Sequence, residues 1–189
     1  MKRYSLLVGC FFLSGSAPGQ RPTWQVYPID QQLAVYLPAP PRELDVPKTM
    51  AVLKPKQQLD PKMKASQGFV AEDKVALYTV IKVPLDKPAE LPSTYAERVA
   101  YYKARTIPIL TAQRELLAQE ISSKDGVDLV TVKTRGFDPT GSVQVKYVRM
   151  LTIGKAVYQL HFTPLDKRGD QCAAQRQKFF DIVLLPAQK

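Results

Sequence analysis

The feature of this sequence that most constrains its fold is a run of alternating residues from Val143 to Phe162, interrupted by Gly154-Lys155. Alternation with a period of two predicts half-buried strands, because successive side chains of a strand point to opposite faces of a sheet. Gly154 takes the first position of a two-residue turn, where positive φ is needed. The run therefore predicts an antiparallel hairpin. Its alternating apolar positions are Val143, Val145, Tyr147, Leu151 and Ile153 before the turn, and Ala156, Tyr158, Leu160 and Phe162 after it.

A third strand precedes this hairpin. Residues Val127 to Thr134 alternate in the same way, and Asp138-Pro139-Thr140-Gly141 follows them. These four residues are typical of a type I turn, with proline second and glycine fourth. The sequence thus predicts a three-stranded antiparallel meander from Val127 to Thr163, which we expect to be the stable centre of the fold.

The residues just before the meander support two interpretations. On propensity alone, Thr111 to Glu120 favours a helix. Lys124-Asp125-Gly126 is instead a strong hairpin signal, and a hairpin would require a strand at 115–122. The residues by themselves leave both interpretations open.

Two further strands are predicted nearer the N-terminus. Leu33 to Leu37 alternates and runs into the proline-rich Pro38 to Pro41, which should end a strand sharply. Val75 to Val83 forms a second clear strand, which Pro84 ends. Between the two we expect irregular connections with one short strand at Met50-Ala51-Val52-Leu53.

A first helix is predicted from a capping box at Thr94-Tyr95-Ala96-Glu97, in which the threonine and glutamate side chains satisfy backbone amides reciprocally. Tyr95, Val99 and Tyr102 follow at helical spacing, so we expect this stripe to face the core. Pro108 is expected to end the helix.

A second helix is predicted near the C-terminus, with Asp170 as its cap. Cys172, Phe179 and Val183 fall on one stripe of this helix. We therefore expect Cys172 to face the core as a small apolar residue.

The N-terminal residues have the order of a secretory signal peptide: the cationic Met1-Lys2-Arg3, an apolar run from Leu6 to Leu13, and then small residues. The run is shorter than the about 20 apolar residues that span a bilayer. We expect a signal peptide at 1–19, a linker at 20–23 and a single domain at 24–189, exported to the periplasm or the exterior. Leu7-Val8-Gly9-Cys10 resembles a lipobox, so an outer-membrane lipoprotein with lipid on Cys10 is an alternative to soluble release.

The order of elements resembles that of bacterial PsbP-like domains, relatives of an extrinsic subunit of photosystem II. The resemblance rests on the strand from Val143, on Val157-Tyr158-Gln159-Leu160, on Phe179 to Leu185, and on Leu33 to Pro41 as an opening strand. It implies an α/β (α+β) fold in which helices flank an antiparallel sheet on both faces as an α/β/α sandwich. It also implies a strand at 115–122. The family supplies binding scaffolds and no catalytic residue to transfer.

No catalytic constellation is evident in the sequence. His161 is the only histidine, and together with Cys172 it falls short of a zinc ligand set. Carboxylate pairs such as Glu115 and Glu120 occur by chance in any chain with 17 acidic residues. We therefore expect no enzyme, no catalytic residue, no cofactor and no metal site.

The formal net charge is +10, but acidic residues are interleaved with the basic ones. This spread is typical of a solvated surface rather than of a nucleic-acid-binding patch, so no nucleic acid is expected as a partner. The sequence predicts an exported, non-enzymatic scaffold that binds a protein or a small ligand. A hydrolase with a site assembled from distant residues is one alternative, and a basic adaptor for anionic lipid or wall polymer is another.

Overall fold

The computed structural model of the protein describes residues 23–53, 61–138, 140–165 and 172–186. Within these residues the strands form two antiparallel sheets, one of seven strands in the order β3-β4-β5-β9-β8-β7-β6 and one of three in the order β1-β2-β10. The strands are β1 Gln25–Pro28, β2 Leu33–Leu37, β3 Arg42–Leu44, β4 Gln67–Glu72, β5 Ala76–Pro84, β6 Glu115–Lys124, β7 Val127–Phe137, β8 Val143–Ile153, β9 Ala156–Pro164 and β10 Val183–Leu184. The helices are α1 Val46–Leu53, α2 Pro61–Lys64, α3 Tyr95–Tyr101, α4 Ile107–Leu110 and α5 Ala173–Phe180.

Helices lie on both faces of the seven-stranded sheet. On one face, which we call the helical face, Tyr102, which follows α3, and Ile107 of α4 pack on Val130, Val132 and Val148. On the other, the aromatic face, α5 and the three-stranded sheet enclose the main core. The antiparallel α+β fold with helices on both faces is thus confirmed, and the three-stranded sheet is an addition to the prediction.

The predicted meander forms β7, β8 and β9, with Leu151 opposite both Leu129 and Tyr158. The ambiguous residues before it form the strand β6, as the resemblance implied. Turn geometry explains this outcome. Asp125 and Gly126 both adopt positive φ, which the two-residue hairpin turn requires and a helix would not permit.

Aromatic rings fill the core of the aromatic face. Phe162 of β9 is fully buried, and its ring centroid lies 5.4 Å from that of Tyr78 on β5 and 6.1 Å from that of Tyr147 on β8. Phe179 and Phe180 of α5 contact the same ring. Phe162 therefore connects three strands to the last helix.

The expected strand at Met50-Ala51-Val52-Leu53 is wrong, because these residues end the helix α1. The start of α1 carries helix signals that outweigh the apolar run. Asp45 accepts a hydrogen bond from the amide of Lys48, and Pro47 stands in the first turn, where its missing N–H costs nothing. The strand of this region is instead β4. Its Gly68 lets the helix approach, because a Cβ there would lie 2.6 Å from Cγ2 of Val46.

The first helix begins as predicted, with both hydrogen bonds of the capping box at Thr94 and Glu97. Its predicted end at Pro108 is wrong. The chain continues through a π-helical turn at Tyr102–Thr106 into α4, where Pro108 occupies the first turn. Pro108 has no N–H to donate, and the backbone bond at this point is made by the preceding amide of Ile107, to the carbonyl of Tyr102.

The last helix is shorter than predicted. It ends at Phe180, and Val183 and Leu184 pair with β2 as the short strand β10. The position of Cys172 is as expected: it precedes α5 and is buried in the main core. Asp170, the predicted cap, lies outside the described residues.

A polar cluster around Asp30 joins the two sheets. The carboxylate accepts hydrogen bonds from the Tyr158 hydroxyl at 2.6 Å and from the amide of Gln32 at 2.8 Å, and it pairs with Lys82 at 2.7 Å. Burial acts to raise the pKa of Asp30, but the bonds from Lys82, Tyr158 and the backbone outweigh it and leave the pKa below its usual value. The carboxylate form is therefore favoured in the folded protein.

We expect Asp30→Asn to lower the free energy of unfolding by about 1–2 kcal/mol at neutral pH, after allowance for partial solvent screening. Because folding lowers the pKa, the carboxylate stabilises the fold above its unfolded pKa, and this contribution is lost as the pH falls through the folded value. Urea unfolding between pH 3 and 7 measures both effects. If the free energy of unfolding of Asp30→Asn fell with decreasing pH as steeply as that of the wild type, this role for Asp30 would be contradicted.

Candidate ligand-binding cavity

A cavity of about 460 Å³ opens on the helical face, beside the loop that follows β5. Its floor is formed by the sheet residues Met150, Thr152 and Val157, and one wall by Tyr101, Tyr102 and Thr106. The opposite wall is the loop from Leu85 to Leu91, and Lys62 of α2 reaches the rim. Most of the enclosing surface is apolar, and two threonine hydroxyls are available for a ligand's polar groups.

The π-helical turn positions the helical wall. The amide of Ile107 donates to the carbonyl of Tyr102 five residues earlier, so the chain turns more widely than an α-helix here. Tyr101 and Tyr102, at the start of this turn, line the cavity, as does Thr106 at its end. Turns of this kind occur often at functional sites.

Tyr102 is fixed in place by a carboxylate behind it. Its hydroxyl donates to Oδ2 of Asp128 at 3.0 Å, and the Arg98 guanidinium donates to the same oxygen at 2.6 Å. Burial and the nearby Asp128 raise the pKa of Tyr102 above its usual range, so the phenol stays protonated. Tyr102 therefore serves as a rigid wall and not as a base.

The charged residues at the rim neutralise one another. Lys62 pairs with Asp86 at 3.3 Å, and Lys87 pairs with Glu90 three residues on. Among the described residues, two cations and two anions thus surround the opening, so this part of the rim offers no net charge to a ligand.

A second polar cluster lies on the same face, away from the described lining of the cavity. Lys146 sits opposite Thr134, whose hydroxyl accepts from Nε of Arg114 at 3.0 Å. His161 is on the neighbouring strand, and its Nδ1 is buried without a hydrogen-bond partner. Burial lowers the pKa of Lys146 to about 8, with a further contribution from Arg114. Burial, and then Lys146, hold the pKa of His161 well below its usual range, so the imidazole is neutral.

The structure separates the residues that the sequence offered for chemistry. Cys172 lies in the core of the aromatic face, whereas His161 shares the helical face with Val148. Glu115 pairs with Arg135 at 2.7 Å, while Glu120 lines a groove on the aromatic face. Cys10 lies outside the described residues.

The described part of the chain contains neither a metal-ligand cluster nor a membrane-spanning helix. No three side chains of His, Cys, Asp or Glu come close enough together there to hold a metal ion. No helix among those residues combines the length and the apolar character needed to cross a membrane.

The sequence did not predict the cavity. It placed Tyr95 and Tyr102 on one core-facing stripe, which is correct for the buried Tyr102 and wrong for Tyr95, whose side chain is 44% exposed. Tyr95 lies at the start of α3 and reaches the sheet only through its hydroxyl, which donates to the carbonyl of Ile121. Tyr101 also lines the cavity wall and was not predicted. The only sign of it in the sequence was that two tyrosines, Tyr101 and Tyr102, are adjacent.

Comparison with known proteins supports the fold. No protein-family model and no curated protein matches the chain. It is similar to the solution structure of cyanobacterial PsbP (CyanoP) from Synechocystis sp. PCC 6803, with a TM-score of 0.50 and 16% identity over 90% of this chain and 98% of that one. A protein of unknown function from Pseudomonas aeruginosa aligns with a TM-score of 0.45 and 10% identity over 88% of this chain and 99% of that one. The PsbP-like fold predicted from the sequence is confirmed; at 16% identity, the likeness concerns the fold alone.

Proposed function

We propose that this PsbP-like domain is an exported, non-enzymatic scaffold that binds a small, uncharged and mainly apolar ligand in the cavity beside Tyr101 and Tyr102. The observation that carries the proposal is the cavity itself. Its volume of about 460 Å³ lies within the range of about 300–1,000 Å³ that is usual for small-molecule sites.

The lining indicates the chemistry of the ligand. Tyr101, Met150 and Val157 offer apolar surface to a flat hydrocarbon body, and Thr106 and Thr152 offer hydroxyls to one or two of its polar groups. The rim is electrically balanced, so a charged ligand would be desolvated without compensation.

The state of the ionisable groups supports binding rather than catalysis. General acid–base catalysis needs a group that exchanges protons near the working pH. Tyr102 is held protonated against Asp128, and the rim carboxylates Asp86 and Glu90 are engaged with lysines. The described lining contains neither histidine nor cysteine.

Export is proposed from the order of charge, apolar run and small residues in 1–19. The buried Cys172 thiol is compatible with an oxidising compartment, because a thiol enclosed in the core is shielded from oxidants. Lipid attachment at Cys10 would hold the scaffold at a membrane surface.

Binding of an uncharged fluorescent probe tests the cavity. N-phenyl-1-naphthylamine should bind saturably to the full chain, and Thr152→Phe should weaken this binding by about tenfold or more, because the added ring fills the cavity. Val143→Phe is the matched control, since Val143 lies on the same strand and is 51% exposed, away from the cavity lining.

A sulfonated analogue of the same probe, 1-anilinonaphthalene-8-sulfonate, tests the charge argument. Because the cavity should not accept a charged ligand, we expect Thr152→Phe to leave any binding of this sulfonated probe unaltered. If neither variant alters binding of the uncharged probe while both melt as the wild type does, the cavity is not its site and the proposal fails.

A further inference from the structure

A groove runs across the aromatic face, between α5 and the strands β6, β7 and β8. Two adjoining cavities of about 800 and 550 Å³ share Glu120, Thr131, Ala173 and Arg176 in their linings, so they form one continuous depression. It lies on the opposite side of the seven-stranded sheet from the cavity described above.

The described lining of the groove is basic. Among the described residues, five cations and two carboxylates, Glu120 and Asp181, line it. Asp181 is already bound to Lys124, at 2.9 Å from its Nζ. The cations are Lys124, Lys133, Arg149, Arg176 and Lys178.

The two arginines are held in fixed positions. Arg149 donates from Nε to the Thr131 hydroxyl at 2.9 Å and from Nη1 to the carbonyl of Phe180 at 2.8 Å. These bonds use two of its five N–H donors. The Arg176 guanidinium stacks on the Tyr147 ring at 4.0 Å. Cations ordered before binding lose little conformational entropy when an anion arrives. Burial lowers the pKa of Arg149, and an anion would offset that cost.

We propose that this groove docks an acidic, extended peptide segment of a partner protein, whose carboxylates meet Arg149 and Arg176. Charge complementarity is the basis of the proposal: carboxylates match guanidinium groups in both charge and planar geometry. The eight residues of α5 span about 12 Å, which about four residues of extended chain would match.

The lining favours a peptide over other anionic partners. Glu120 and Asp181 would repel a densely charged phosphate polymer, whereas a peptide can space its carboxylates around them and bond its amides to Glu120 and Thr131. The Tyr147 ring is 5% exposed and covered by Arg176, so it offers no face on which a base could stack. The groove is recessed beside α5, and a flat membrane surface would not enter it.

Fluorescence anisotropy with a labelled octapeptide of alternating aspartate and glycine tests the proposal. The full chain should bind this peptide at low salt, and its asparagine counterpart should not bind. Arg176→Gln should weaken binding by about tenfold or more. Arg135→Gln removes the same charge from the exposed Arg135–Glu115 pair outside the groove, and it should change binding by less than about twofold.

Several outcomes would overturn the proposal. Equal losses in the two variants would show a response to net charge alone. Tighter, Arg176-dependent binding to vesicles with phosphatidylglycerol or to single-stranded DNA would assign the groove to a membrane or a nucleic acid. If Arg176→Gln does not fold, Lys133→Gln tests the groove from β7, and an unaltered affinity there would refute the site. Binding of the naphthylamine probe to the cavity is measured in a separate experiment. Failure of the groove proposal can therefore be distinguished from failure of the cavity proposal.

Discussion

Phe162→Ala should lower the free energy of unfolding by about 3–5 kcal/mol, the range for removal of a large buried aromatic side chain. The effect should be large because Phe162 is fully buried and its ring packs against rings from β5, β8 and α5. Each of these elements loses contacts when the ring is removed. Collapse of the site is restricted, since Tyr78 and Phe179 are themselves enclosed by the same core.

Phe137→Ala is the matched control, because this phenylalanine is 73% exposed near the end of β7. We expect it to change stability by no more than about 0.5 kcal/mol, as surface substitutions do. Equilibrium unfolding in urea measures both variants. Similar losses for the two would show that the aromatic cluster is not the centre of stability.

The parts of the fold that could be predicted are those in which local chemistry and tertiary structure agree. Positive φ at Gly154 and Gly126 fixes two hairpin turns, and the alternation on either side extends them into strands. The same turn at Asp125-Gly126 overcame helix propensity in β6, because nine of the ten residues of this strand pair with β7. Here the tertiary contact begins at the turn, so the residues indicated the hairpin, but helix propensity left both interpretations open and the family resemblance implied the strand.

Where contacts join distant residues, the sequence was uninformative. Leu184 pairs with Leu33 across most of the chain, and this pairing shortens the predicted last helix. A two-residue strand has no period to detect. Pairing of Val183 with Ala34 and of Leu184 with Leu33 on β2 decides their conformation.

The candidate cavity was unpredictable for the same reason. Its lining comes from α2, the loop after β5, the π-helical turn, β8 and β9. No short motif unites these segments. The π-helical turn, which contributes Tyr102 and Thr106 to the lining, also has no accepted sequence signature. His161 is half-buried as a residue, but its Nδ1 is enclosed, and Lys146 lies near the ring.

Lys146→Met should raise the free energy of unfolding by about 2–3 kcal/mol at pH 7, because it removes a buried charge whose pKa is lowered from 10.5 to about 8. No ion pair reaches Lys146 from the described residues, and Arg114 adds a like charge. Methionine retains the length of the apolar stem. Lys155→Met, in the exposed turn before β9, is the control and should leave stability nearly unaltered.

The pH dependence separates this charge effect from simple repacking. Between pH 8 and 10 the unfolded chain keeps a proton on Lys146 that the folded protein releases, so wild-type stability should rise with pH in this window. Lys146→Met should lack that rise. Above this window, wild-type stability should fall with pH. Folding raises the pKa of Tyr78, Tyr102 and Tyr158, so these phenols ionise at lower pH in the unfolded chain than in the folded protein.

The single histidine provides an independent readout of the same charge. Since Lys146 contributes to the low pKa of His161, the imidazole of Lys146→Met should titrate at higher pH than in the wild type, although burial should still keep its pKa below the usual value. NMR titration of the His161 ring protons measures this directly, without assignment ambiguity. An unaltered imidazole titration together with an unaltered alkaline stability slope would show that Lys146 is solvated and that the proposed buried cluster does not exist.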